Sequence, residues 1–574
     1  MTTEENRGMG LALILLSLWL LFYALGRAAL FEPDEGRHAE MAREIIMLKD
    51  WVTPRYNFIP RLDKPVFYDW LMAAAYKVFG ISEWSARLPS ALAAFGLVLL
   101  TCIFARSRTG LANAWWSGLI LLTCVEILAL ARTAIPDMVL SFFMTLSLCS
   151  FFWGSRAERK RAKRSFYFLT YGAMGIATLA KGPIGVLLPG LVIFCYLGLG
   201  RKWPLLREMN LALGVTFFAA MVAPWYLIAE LRNPGYLGYF LWDEHFLRYF
   251  TPQFHRSQPW YYFFAVVAAG FLPWTLILPL ALNDLRKKTW DDQTLYLAVW
   301  TVLPLLFFSL SDSKLPHYVL PVYPPLSILT GKFLAKSAGD QTKKWLFALP
   351  WLTLVPPLLL LVVAFSRPDL LPQALQRSLD RVLETISLLP IVSGLLVSLL
   401  SLLALTLIRT GGGIRYLVIC AGVALLSFFT IEPIRAQVSF TRSSKELAAR
   451  SSVFILPDDR VVIYDAYLAS LPFYLRIDRP LWIVQAEGKD TVMGSLYVGK
   501  RQLQLRSGDH QMVFNYAQFS ELWRTSAQRL MVFVHAKRLH RLKQDTGGRA
   551  TEISRTGDVL LVSNREAKTP GEGK

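Results

Sequence analysis

The sequence predicts a mainly α-helical polytopic membrane protein with a small C-terminal soluble α/β domain. Of 574 residues, 54% are hydrophobic and only 18% charged, a balance too apolar for a soluble multidomain chain of this length. Apolar runs close to the roughly 18–20 residues that cross a bilayer as helix recur through the first three quarters. After Ile431 the pattern changes: polar residues surround short runs such as Val461-Val462-Ile463-Tyr464, Val532-Phe533-Val534 and Val559-Leu560-Leu561-Val562, with helix-compatible stretches between them.

Taken in order, the apolar runs place about thirteen spans near residues 11–30, 88–105, 112–131, 136–153, 166–181, 183–199, 210–229, 260–281, 294–310, 316–335, 345–365, 386–408 and 414–431. The first, from Leu11, has no small-residue cleavage site leading into a soluble domain and is read as a retained span. The short loop carrying Arg156, Arg159, Lys160, Arg161, Lys163 and Arg164 belongs on the cytoplasmic side, where Lys and Arg accumulate. Alternation then puts Arg106, Arg108, Arg201, Lys202, Arg207, Arg286, Lys287, Lys288, Lys336, Lys343 and Lys344 on that same side. The N-terminus is therefore expected inside, and residues 31–87, 230–259 and the tail outside. Residues 1–431 form a transmembrane domain, with amphipathic helices in 31–87. Residues 432–574 form a periplasmic α/β domain, whose last dozen residues are rich in Gly, Lys and Glu and expected to be disordered.

The net charge of +20 is largely explained by this topology, and no basic stripe interleaved with aromatic residues stands outside the spans, which argues against nucleic acid as a partner. Cys102, Cys124, Cys149, Cys195 and Cys420 all fall in apolar segments without metal-ligand spacing and read as packing residues. No internal repeat of the kind common in transporters stands out.

Residues 31–87 are too long for a bare connector. From Asp34 the pattern is helical, with Ala39, Ala42, Ile45 and Ile46 on one face and Arg37, Glu40 and Glu44 on the other, a helix expected to lie along the interface. Val66 to Phe79 reads as a second helix of the same kind. Asp34 and Glu35 directly follow Pro33 after the first span; they are either first-turn acids that stabilise a helix or a base and positioning group for an acceptor. Asp63-Lys64-Pro65 returns a second acid and a lysine to the membrane surface, where Lys64 either snorkels or binds substrate.

The string Glu32-Pro33-Asp34-Glu35-Gly36-Arg37-His38-Ala39-Glu40-Met41-Ala42-Arg43-Glu44, with Trp51-Val52-Thr53-Pro54, Asp63-Lys64-Pro65-Val66-Phe67-Tyr68-Asp69-Trp70-Leu71 and Arg87-Leu88-Pro89-Ser90, resembles the lipid A aminoarabinose transferase family and, more distantly, the protein O-mannosyltransferases. Arg132-Thr133-Ala134-Ile135-Pro136-Asp137-Met138, Lys181-Gly182-Pro183, Ser313-Lys314-Leu315-Pro316-His317-Tyr318-Val319-Leu320-Pro321 and Ser470-Leu471-Pro472-Phe473-Tyr474-Leu475 continue the resemblance along the chain. It implies a GT-C type membrane glycosyltransferase of the bacterial inner membrane that takes a sugar from a polyprenyl-phosphate donor, with undecaprenyl phosphate as carrier and lipid A or a related glycolipid as acceptor. It also implies the roles. Asp34 is the principal catalytic acid and Asp137 a second one, and Lys64, Arg37 and Lys181 bind phosphate; placement near the outer headgroup plane adds Arg248 as a further phosphate binder and Tyr318 and Tyr323 as sugar-binding candidates, against the reading of interfacial loop and belt residues. No cofactor is required, although the family resemblance includes a zinc site that would use Asp63 and His245 here. His38 stands where the aminoarabinose enzymes tend to have tyrosine.

Such a donor is already activated, because its anomeric carbon carries a phosphate leaving group that needs charge stabilisation as the bond breaks. The rival readings are a flippase of lipid-linked sugars, a protein O-glycosyltransferase, and a polymerase or ligase of surface polysaccharide. A flippase would carry its ionisable residues near the bilayer midplane, whereas the charges singled out here gather at outer span ends.

Overall fold

The computed structural model describes residues 3–251, 256–287, 289–338, 432, 435–436, 439, 442–501, 503–507 and 511–565. The spans expected near 345–365, 386–408 and 414–431, together with Cys420 and the polar tail, lie outside the described residues. The chain divides into two compact units: one of residues 1–25, 87–230 and 241–438, the other of residues 26–86, 231–240 and 439–574.

The first unit is helical. Its opening helices are α1 (Thr3–Phe22), followed after the second unit's α2 (Asp34–Leu48) and α3 (Phe67–Phe79) by α4 (Glu83–Thr109), α5 (Leu111–Thr123), α6 (Val125–Ala131), α7 (Asp137–Arg156), α8 (Lys160–Lys181) and α9 (Ile184–Leu199). Leu211–Arg232, Tyr262–Gly270, Leu278–Arg286, Asp292–Leu310 and Tyr323–Ala338 continue it. All ten spans expected within the described residues are helical for most of their length, but only four helices there are long and apolar enough to cross a membrane, or six if each of two bent pairs is one span. The difference has local causes. α8 spends its first turn on Lys160, Arg161 and Lys163, α9 has 16 residues, and α1 stops at Phe22 although the apolar run continues to Leu30.

The bent pairs break where the sequence removes backbone continuity. Between Tyr262–Gly270 and Trp274–Arg286 the chain turns by 111° at Pro273, which lacks the N–H a continuing helix needs. α5 and α6 meet at 64° around Cys124. The two breaks satisfy each other: Val125 N donates to Leu272 O at 3.3 Å and Trp274 Nε1 to Thr123 Oγ1 at 2.8 Å. Irregular backbone inside an apolar bundle is tolerated where protein groups of this kind meet it. The core of the unit is aromatic: Tyr296 stacks on Phe152 at 5.0 Å, meets Tyr196 edge-on at 4.8 Å, and donates its hydroxyl to Leu148 O at 2.8 Å. Asp292 takes both Arg156 and Lys202, joining the end of α7 to the loop after α9 and to the helix Asp292–Leu310.

The second unit assembles segments far apart in sequence. Its six-stranded sheet has the order β5-β4-β3-β6-β8-β7, where β3 is Arg460–Tyr464, β4 Trp482–Val484, β5 Val513–Phe514, β6 Leu530–His535, β7 Thr551–Thr556 and β8 Val559–Ser563. Strands β5, β4, β3 and β6 run parallel, with Ile463 between Ile483 and Phe533; β8 is antiparallel to β6 and to β7. Three of these strands are the runs read from the sequence as strands. The loop 26–86 belongs to this unit and supplies α2, α3 and a two-residue ladder pairing β1 (Arg55–Tyr56) with β2 (Ile59–Pro60). Asn57, in the left-handed region at φ 58°, exchanges two hydrogen bonds with the Leu481 backbone at 2.7 and 2.9 Å. Tyr56 donates to Ala469 O at 3.1 Å, and Arg61 to Met493 O at 2.8 Å.

α2 departs from the amphipathic expectation. Glu40 and Glu44, assigned to its polar face, are buried, as is His38. The reason is local pairing: Glu40 takes both Nε and NH2 of Arg43 at 2.7 Å, Glu44 accepts from Phe58 N at 2.9 Å, and His38 Nδ1 lies 2.8 Å from Asp69 Oδ1. Sequence periodicity separates charged from apolar faces but does not reveal that a charged face meets partners.

In the first unit, buried Arg132 points Nε at Glu432 at 3.1 Å and donates to the carbonyls of Leu20 and Tyr23, while Arg435 binds the same carboxylate. Removing one member of such a group leaves a buried charge short of its counter-charge. Glu432→Ala is expected to destabilise the purified protein by about 3 kcal/mol, seen as a lowered thermal midpoint in detergent; Lys445→Met at the more exposed Glu83 pair should leave the midpoint within about a degree or two.

Candidate active site

Each unit carries one of the acids singled out from the sequence. In the second unit Asp34 is the first residue of α2, after Pro33, and remains 54% exposed. A carboxylate there faces the positive end of the helix dipole. Arg37, one turn on, places NH2 2.6 Å from Asp34 Oδ1. An ion pair this exposed contributes only about 0.5 kcal/mol, so it does little to stabilise the helix. Lys64 follows the β1–β2 hairpin and is half-buried. Its neighbour Asp63 is more fully engaged, accepting from Ser495 Oγ at 2.8 Å and Tyr239 Oη at 3.0 Å and lying 3.1 Å from Arg61 Nε.

Deeper in α2, burial pushes the Glu44 carboxyl well above the ordinary value of 4.5, and the Glu40 charge one turn away pushes the same way. Its Oε1 has no hydrogen-bond partner among the described residues.

In the first unit Asp137 opens α7 after Pro136, and Lys181 closes α8. The two helices pack along their lengths, and the Lys181 ammonium forms a buried ion pair with Asp137 Oδ1. Around that pair lie His317 Nε2, 3.8 Å from the same oxygen, and the Tyr318 ring, whose centroid is 5.2 Å from Lys181 Nζ. Arg248 donates from NH2 to Tyr318 Oη at 3.0 Å and pairs with Glu244 through NH1. Asp137, Lys181, Tyr318 and Arg248 are thus gathered into one network, and Asp137 pairs with Lys181 while Arg132 pairs with Glu432.

His317 and Glu244 join this network without having been singled out. His317 lies within the Ser313–Pro321 phrase, and Glu244 precedes Arg248 by the four residues that put two side chains on one helix face. Tyr323 falls elsewhere. It is fully buried, its ring packs on Phe271 at 6.2 Å, and its hydroxyl has no hydrogen-bond partner among the described residues. This places it in the packing around the broken helices. His245 lies in a π-helix, Tyr239–Leu247, and no group of three or more His, Cys, Asp and Glu side chains able to hold a metal occurs among the described residues. With Asp63 held by Arg61, Tyr239 and Ser495, the donor set does not fit a zinc centre.

Residues 43–240 match the family described as dolichyl-phosphate-mannose-protein mannosyltransferase. Over 97% of its length the chain superposes on 98% of ArnT from Cupriavidus metallidurans, solved bound to undecaprenyl phosphate, with a TM-score of 0.82 and 28% identity. The chain is similar to the aminoarabinose transferase-like GT-C proteins. Like them it is an integral membrane protein. Undecaprenyl phosphate-alpha-4-amino-4-deoxy-L-arabinose arabinosyl transferases from Enterobacter sp. (strain 638) and Aeromonas salmonicida (strain A449) are 31% and 33% identical to it over 338 and 334 residues, 56% and 57% of this chain. The chain spans about three fifths of the length of these relatives, 59% in each case. An archaeal oligosaccharyltransferase from Archaeoglobus fulgidus shares the fold at a TM-score of 0.51 and 10% identity.

Glu44 gives the chain a pH signature. Its folded-state pKa lies above the unfolded value of 4.5, so the folded chain binds the proton more tightly. The associated stability is fully present below pH 4.5 and is lost as pH rises through the folded value. Glu44→Gln, which keeps an acceptor for Phe58 N, is expected to flatten the fall of the thermal midpoint as pH is raised from 5 to 8 while leaving the midpoint near pH 4.5 unchanged.

Proposed function

We propose that the chain is a polyprenyl-phosphate-sugar glycosyltransferase of the bacterial inner membrane, moving a pentose, 4-amino-4-deoxy-L-arabinose, from undecaprenyl phosphate to lipid A. The observation that carries this reading is the whole-length likeness to ArnT, joined to a chain that sets acid–cation groups at the family's motif positions. In the reaction the bond between the anomeric carbon and the carrier phosphate breaks as an acceptor oxygen attacks that carbon, and the carrier leaves as its phosphate. Lys64, Arg37, Lys181 and Arg248 neutralise the charge that grows on the leaving phosphate. Guanidinium forks suit phosphate oxygens, and Tyr318, already hydrogen-bonded to Arg248, adds a polar edge beside them.

Asp34 orients the attacking group. A lipid A phosphate arrives without a proton and needs only placement, whereas a hydroxyl acceptor needs a carboxylate to take its proton. Asp137, bound to Lys181, holds that ammonium in place and binds sugar. Sidedness follows from the loop charges: an inside N-terminus and residues 432–574 in the periplasm.

Mass spectrometry of lipid A and total glycolipid from cells with and without the gene tests the proposal. Deletion is expected to remove one aminopentose from lipid A, and Asp34→Asn to reproduce that loss with transfer reduced at least about 100-fold. An unchanged glycan profile with lipid-linked sugar redistributed across the membrane would favour a flippase, and loss of a protein glycan instead would favour protein O-glycosylation. A periplasm-dependent reporter fused after residue 440 is expected to be active; activity of a cytoplasm-dependent reporter there would overturn the orientation.

A further inference from the structure

The parallel part of the second unit's sheet reverses direction at β3. The chain runs from β3 to β4 to β5 on one side and returns to β6 on the other. In open α/β sheets, ligands lie beyond the carboxyl ends of the strands at such a reversal, where backbone N–H groups that open the next helix receive an anion. Here residues 465–470 leave β3 and lead into the short helix Leu471–Leu475, and the anion on the amides before that helix comes from the chain itself. Glu32, at the end of the first apolar run, places Oε2 2.5 Å from Ala469 N, and Oε1 2.8 Å from Ser470 N, 2.5 Å from Ser470 Oγ and 2.8 Å from Ser444 Oγ. Ser470 Oγ in turn accepts from Ser444 N at 3.0 Å.

The flanking backbone follows the carboxylate. Glu32 N donates to Arg442 O at 2.8 Å, Ala29 N to Ser439 Oγ at 2.9 Å, and Tyr474 Oη receives Leu30 N at 2.8 Å. Gly36 completes the fit: a Cβ there would lie 2.5–2.6 Å from the Cβ, Cα and N of Ser470, so only glycine lets the first turn of α2 approach this closely. The phrases Glu32-Pro33-Asp34-Glu35-Gly36 and Ser470-Leu471-Pro472-Phe473-Tyr474, more than 400 residues apart in the chain, are two halves of one contact.

We propose that Glu32 is a positioning residue: its carboxylate, seated on Ala469, Ser470 and Ser444, fixes the backbone two residues before Asp34, so that the C-terminal domain sets the geometry of the candidate catalytic acid. The ligand position beyond the parallel strands is thereby given over to an internal lock. Its catalytic consequence rests on the transferase reading above; the lock itself does not.

The test uses the full-length protein in nanodiscs, with hydrogen exchange of the segments 29–37 and 466–475 and transfer from a synthetic polyprenyl-phosphate sugar. Glu32→Gln and Ser470→Ala are each expected to raise exchange in both segments. Each should lower kcat about 100-fold, the scale of a small misplacement of a reacting group, with KM for the lipid donor within about threefold. The double variant is expected to be no worse than the worse single one, because both remove the same contact. Unchanged exchange in 466–475 on Glu32→Gln, or kcat losses that multiply in the double variant, would overturn the lock. If Glu32→Gln exposes β3 and β6 to exchange, it has unfolded the domain, and Ser470→Ala, which deletes only the hydroxyl shared between Glu32 and Ser444 N, decides. A wild-type chain with no transfer activity overturns the transferase reading, and the exchange data then decide the lock alone.

Discussion

Removing charge from water is costly unless partners replace the lost hydration, and that constraint organises both units of this chain. Burial pushes the Glu32 carboxyl above its ordinary value, while hydrogen bonds from Ser470, Ser444 and Ala469 pull it back. Glu40 is matched by Arg43 through a two-point bond, Arg132 by Glu432, and Asp137 by Lys181. Two of these groups join chain segments distant in sequence: Arg132 reaches the end of α1, and Glu32 reaches the turn after β3. In an apolar protein such contacts add little net stability over apolar packing but strongly penalise wrong registers.

Asp34 differs from these groups in standing largely exposed at a helix start, while Lys181 and Arg248 are held by Asp137, Glu244 and Tyr318. A phosphate leaving group asks for cations whose position is fixed before charge develops, since the energy of reorganising them would otherwise add to the barrier. Lysine and arginine anchored by a second residue meet that requirement better than free side chains. An acid that must accept different incoming groups gains from standing at the solvent edge.

Much of this was legible in the sequence. Apolar runs located helices, β-branched runs located β3, β6 and β8, and Pro33 marked the start of α2. Motif phrases identified Asp137 and Lys181, which the structure joins. Three things were less legible. The break at Cys124 has no proline or glycine to announce it; it is matched by the break at Pro273, and only the fold brings the two together. The burial of Glu40 and Glu44 depends on Arg43 and on the Phe58 backbone, partners that a helical wheel does not show. Tyr323 looked like Tyr318 in sequence because both lie near a span end, yet Tyr318 meets Arg248 and Lys181 whereas Tyr323 packs on Phe271.

The division of the chain follows contacts and not sequence order, and Glu32 explains why it falls where it does. A loop of some 60 residues after the first helix must meet the entropic cost of ordering α2 and α3 in a single geometry. The sheet formed by residues 460–563 supplies what the loop lacks: backbone amides beyond β3 for Glu32, the Leu481 backbone for Asn57, and the Met493 carbonyl for Arg61. A domain at the end of the chain thereby becomes the scaffold for a loop near its beginning, and the reach of that scaffold extends to the residue on which the proposed chemistry turns.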